Sequence, residues 1–63
     1  MKNFVAVNPK QLDICLRLLY SENVRFHVEV KETNNRKIVY EIMGDADDET
    51  VEKLLEKYRI LTA

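Results

Sequence analysis

The chain has 63 residues, 46% of them hydrophobic and 33% charged, with a formal net charge of -1. That length allows one domain, residues 1–63, and a domain this small buries only about 60% of the surface its unfolded chain exposes. The near-neutral charge weighs against general nucleic-acid binding, the single cysteine excludes an internal disulfide, and no apolar run approaches the roughly 20 residues that span a membrane.

With no disulfide and no cluster of metal ligands, oligomerisation is the remaining aid to so small a fold. A lone cysteine and no export-like leader predict a reducing, cytoplasmic setting.

Asn3 to Val7 predicts a first strand, apolar on both faces and free of charge. Asn8-Pro9-Lys10-Gln11 reads as a helix start, with Asn8 capping, Pro9 in the first helical position and Gln11 placed to bond back. The helix runs to about Glu22 and buries Leu12, Cys15, Leu16 and Leu19, which recur at helical spacing. Asn23 suits a left-handed C-terminal residue, with Val24 folding back onto the helix.

Arg25 to Glu32 alternates apolar and polar residues and predicts a half-buried strand with Phe26, Val28 and Val30 inward. Lys37 to Met43 predicts its hairpin partner, ended by Gly44. A loop of three residues, Thr33-Asn34-Asn35, with Asn35 left-handed, keeps apolar against apolar. It sets Phe26, Val28 and Val30 beside Ile42, Tyr40 and Ile38, and His27 opposite Glu41. Asp47 then caps a final helix with Val51, Leu54, Leu55 and Tyr58 inward.

The order strand, helix, strand, strand, helix predicts an α+β, βαββα two-layer sandwich, ferredoxin-like but lacking the final strand. It implies a three-stranded mixed sheet, the first and third strands parallel neighbours, with both helices on one face. The second strand edge carries Arg25, Glu29 and Lys31 as guards. The first strand edge carries none, and an unguarded edge invites a partner.

No arrangement of residues predicts an enzyme, a cofactor or a metal. Cys15 lies in the buried stripe, where it acts as a small hydrophobe. His27 has no nucleophile near it in pattern. Asp45, Asp47, Asp48 and Glu49 enter a helix at once, unlike a calcium loop. Arg25, Lys31, Arg36 and Lys37 are interleaved with Glu29 and Glu41, and the open sheet face lacks the aromatics that stack RNA bases.

What stands out is apolar residues left over once the core is filled: Ile14 and Leu18 on the first helix, and Val5, Val7, Val39 and Met43 on the outer sheet face. A contiguous apolar set marks an interaction surface. The sequence therefore predicts a small non-enzymatic protein–protein interaction or regulatory module acting as a homodimer. Its interface is drawn from Phe4, Val5, Ala6, Val7, Ile14, Leu18, Val39 and Met43, along the first strand edge or across the open face. Residues 59–63 forming a fourth strand beside the first is the competing expectation. A small-molecule-binding regulatory domain and, behind it, a nucleic-acid-binding module are the alternative functions.

Overall fold

A computed structural model describes residues 2–63. The elements are β1 (Phe4–Ala6), α1 (Pro9–Ser21), β2 (Arg25–Glu32), β3 (Ile38–Asp45) and α2 (Asp48–Thr62). This is the expected βαββα sandwich, with the strands in the order β1-β3-β2.

Local chemistry sets most element ends. The Asn8 side chain accepts the Gln11 N–H at 2.8 Å, and Pro9 opens α1. The Gln11 side-chain amide oxygen reaches one residue further upstream than a capping box does and accepts the Val7 N–H at 3.0 Å. At the other end Asn23 is left-handed, with φ 55°. Val24 N–H then bonds the Leu19 carbonyl at 2.9 Å and Asn23 N–H that of Tyr20 at 3.1 Å, which satisfies two orphan carbonyls of the helix. Asp47 takes the cap position of α2 without a side-chain hydrogen bond, and Asp48 and Glu49 occupy its first turn.

The sheet is antiparallel throughout, which corrects the expectation of a mixed one. Phe4 pairs with Ile42, Val5 with Glu41 and Ala6 with Tyr40, all antiparallel. The reason is topological. Helix α1 returns the chain so that β1 and β2 run the same way. The hairpin then reverses β3, and β3 lies between them, so it opposes both.

The hairpin register also differs, by two residues. Val28 stands opposite Ile42, Val30 opposite Tyr40 and Phe26 opposite Gly44, so the inward face is kept but each partner moves along. The positive φ falls at Arg36, at 58°, and not at Asn35. Thr33 accounts for this. Its N–H donates to the Lys37 carbonyl at 2.8 Å, its own carbonyl accepts the Arg36 N–H at 3.0 Å, and its hydroxyl oxygen accepts the Lys37 N–H at 3.3 Å. The expected three-residue loop sets Lys31 opposite Lys37; the observed register sets Lys31 opposite Val39 and Glu29 opposite Glu41. That register places Lys31 within 3.2 Å of Glu41 and 3.7 Å of Glu29.

Gly44 does not end its strand; β3 continues to Asp45. The end of the chain and the apolar positions of α1 outside its buried stripe also differ from expectation. Arg59 to Thr62 are helical, so these residues form no fourth strand. Ile14 and Leu18 are half-buried against the core.

The core consists of Phe4, Ala6, Cys15, Leu19, Ile42, Val51, Leu54, Leu55 and Tyr58. Phe4 and Tyr58 meet edge to face with ring centroids 5.7 Å apart, a favoured aromatic geometry. Every core residue comes from β1, β3 or a helix. None comes from β2, so the helix layer sits over the β1 side of the sheet.

Candidate interaction surface

The two sheet edges differ in what their backbones leave open. In an antiparallel ladder, alternate residues turn N–H and C=O to the same neighbour. The Thr33–Lys37 hydrogen bond closes the hairpin, so the odd-numbered residues of β2 bond to β3. Phe26, Val28, Val30 and Glu32 therefore turn their N–H and C=O groups outward. The even residues of β3 bond to β1, which leaves Val5 as the outward-facing residue of that short strand.

The β1 edge is not the vacancy that the sequence suggests. The Tyr58 hydroxyl donates to the Val5 carbonyl at 2.9 Å. The next outward N–H, that of Val7, is held by Gln11. Lys2 pairs with Glu52 of α2 at 2.9 Å, tying the start of the same segment down. Helix α2 thus hangs over the edge where a fourth strand would lie.

The residues expected at an interface separate accordingly. Phe4 and Ala6 are core side chains, and Ile14 and Leu18 pack against that core. Val5 and Val7 are exposed, while Val39 and Met43 are half-buried on the open face. Between them stands Glu41, which accepts from the Asn3 amide at 3.1 Å and pairs with Lys31 at 3.2 Å. The hydrogen bond to Glu41, and then its charge, push the Lys31 ammonium pKa up. The open face is therefore crossed by a polar network at its centre.

A second apolar surface is on the other side, where the sequence pattern takes the strand residues for core. Phe26 and Val30 of β2 and Ile38 of β3 point toward the helix layer, yet are 39%, 64% and 54% exposed. Tyr20, at the end of α1, is 80% exposed. Together with Leu16, Tyr20 and Phe26 line an open groove between α1 and β2. The alternation of β2 does mark these residues as inward-facing. What it leaves out is that two helices spread over three strands need not reach the outermost one.

The remaining candidate groups are separated. Cys15 is fully buried, and burial pushes its thiol up to about 12, far from nucleophilic at neutral pH. His27 lies opposite Met43, not Glu41, because of the register shift. Its Nε2 is 3.6 Å from Glu29 Oε1, beyond hydrogen-bond reach. Among the described residues no three His, Cys, Asp or Glu side chains converge as a metal site, and no helix is long and apolar enough to cross a membrane.

Comparison with protein-family models, curated proteins and solved structures returns no match.

Proposed function

We propose that this chain is a small, non-enzymatic protein–protein interaction module that acts as a cytoplasmic homodimer joined through a sheet edge. The observation that carries this reading is the uncovered helix-side row of Phe26, Val30 and Ile38, flanked by Tyr20. In a two-layer sandwich this face normally packs on a helix. Here it lies beside a strand edge with four outward-facing residues, so backbone pairing and apolar burial can occur in one contact. A sheet extended by another chain gains main-chain hydrogen bonds and side-chain packing together.

A small-molecule reading would place a ligand in the groove beside Tyr20 and Phe26. No polar or charged residue is buried among the described residues. The groove thus lacks the buried polar anchors that orient ligands in small-molecule sites. An open apolar surface of this kind suits a protein partner better.

Sedimentation equilibrium tests the proposal. A dimer at micromolar concentration is the expected outcome, and a monomer at high micromolar concentration overturns it.

A further inference from the structure

We propose that β2 is the dimer edge, pairing antiparallel with β2 of a second copy about a two-fold axis at His27, a refinement that rests on the homodimer reading.

Three observations select this edge and this partner. First, β2 is an eight-residue edge strand, whereas β1 spans three residues and has its Val5 carbonyl occupied by Tyr58. Second, β2 can pair with itself without backbone rearrangement, because its outward-facing residues are all of one parity. Phe26 and Val28 of each copy would exchange N–H and C=O bonds. Their side chains, with Val24 and Val30, would form an apolar row beneath the two α1 helices. Tyr20 stands at the rim of that row and would be covered with it.

Third, the charges choose the register. Pairing about His27 sets Arg25 opposite Glu29 of the other copy, twice by symmetry. Arg25 makes no ion pair among the described residues, although it stands opposite Asp45 in β3. Glu29 has only loose contacts, at 3.6 Å to His27 and 3.7 Å to Lys31. Sliding two residues to an axis at Val28 sets Arg25 against Lys31 twice. Sliding again to Glu29 sets that carboxylate against its own copy. Like charges directly opposed across strands destabilise the pairing, so the His27 register is the one that the strand's charge pattern favours.

The closed assembly is a six-stranded sheet, β1-β3-β2-β2-β3-β1, with four helices on one face. Its outer edges are the β1 strands, each already covered by α2. An isologous contact of this kind closes on itself and does not propagate.

Complementary charge reversal provides the test, read by sedimentation equilibrium. Both residues are exposed, so neither change disturbs the core. Arg25→Glu alone places acid against acid and Glu29→Arg alone places base against base; each should weaken the dimer by about tenfold or more. An equimolar mixture of the two variants should restore it, because both cross-pairs then become complementary. A second measurement uses His27→Cys. Residues facing each other in a non-hydrogen-bonded pair have Cα atoms about 4.5 Å apart, within disulfide range. The variant should therefore form a covalent dimer on mild oxidation, and Glu29→Cys should not.

A wild-type monomer removes both the homodimer and the edge assignment. A wild-type dimer that neither reversal weakens, or that mixing fails to restore, overturns the β2 assignment and leaves the homodimer standing. A dimer lost on Val5→Lys but not on Arg25→Glu moves the contact to β1.

Discussion

The Tyr58 hydroxyl of α2 donates to the Val5 carbonyl of β1 at 2.9 Å, joining residues 53 positions apart in the chain. One bond does two things: it docks the last helix on the first strand, and it takes up an acceptor that an edge strand would otherwise offer to another chain. Tyr58→Phe keeps the ring against Phe4 and removes only the hydroxyl. The expected loss is about 0.5–1.5 kcal/mol. In a domain of this size that lowers Tm by several degrees, since each kcal/mol is worth about 4–8 °C. A thermal melt followed by circular dichroism measures it, and an unchanged Tm would show that the bond adds nothing.

Arg36 holds a left-handed conformation, with φ 58°, that costs a side-chain-bearing residue about 1–2 kcal/mol relative to the right-handed region. Glycine has no such penalty. Arg36→Gly should stabilise the hairpin by around 1 kcal/mol once its extra unfolded-state entropy is offset. Arg36→Val should destabilise it. Urea midpoints for the two variants should move in opposite directions; a shared direction would contradict the turn geometry.

Gly44 has ordinary negative-φ backbone inside β3. A methyl there would meet Leu19 Cδ2 and Val24 Cγ1 at 3.5 Å and Val51 Cγ2 at 3.7 Å, which is normal van der Waals contact. Gly44→Ala should therefore raise stability by roughly 0.5–1 kcal/mol, the usual handicap of glycine within a strand. Gly44→Leu should lower it by forcing Leu19 aside. Denaturant titration of both variants checks the space as well as the sign.

Alkali should loosen the fold through Cys15. Its thiol titrates near 9.0 when unfolded and at about 12 when buried. Between those values unfolding releases a proton, so stability falls as pH rises, by at most about 1.4 kcal/mol per pH unit from this group. Below that window the thiol is protonated in both states and contributes no pH dependence. Burial, and then the neighbouring Cys15, push the Tyr58 phenol up as well, which adds in the same direction at higher pH. Unfolding free energies from pH 8 upward should decline, and Cys15→Ala should decline less steeply. Parallel slopes would show that the thiol is not the source.

Much of the architecture is legible in the residues. Asn8 before Pro9, and Asn23 after a helical stripe, each mark a helix end through a local hydrogen bond, and both bonds form. The inward faces of the helices and of β3 follow from periodicity, as Cys15, Leu19, Ile42 and Tyr58 all illustrate. The turn was harder to read. Two asparagines compete with Arg36 for the left-handed position, and the Thr33 bonds to Arg36 and Lys37 accompany its settling at Arg36. Hardest was the sideways placement of the helix layer. It goes with contacts between distant parts of the chain, such as Tyr58 to Val5, and no local pattern carries those. For that reason the alternation marks Phe26 and Val30 as core, and the helical spacing leaves Ile14 and Leu18 spare.

The alternation along β2 has a consequence for the amide protons. Those of His27, Glu29 and Lys31 lie in the ladder with β3, while those of Phe26, Val28 and Val30 face away from it. In deuterated solvent the isolated chain should show a two-beat pattern, with every second amide of one strand exchanging quickly and its neighbours slowly. Joining two copies along this strand would silence the quick beat and leave the slow one unaltered. Residue-resolved exchange would thus read out, position by position, where the second backbone begins and ends.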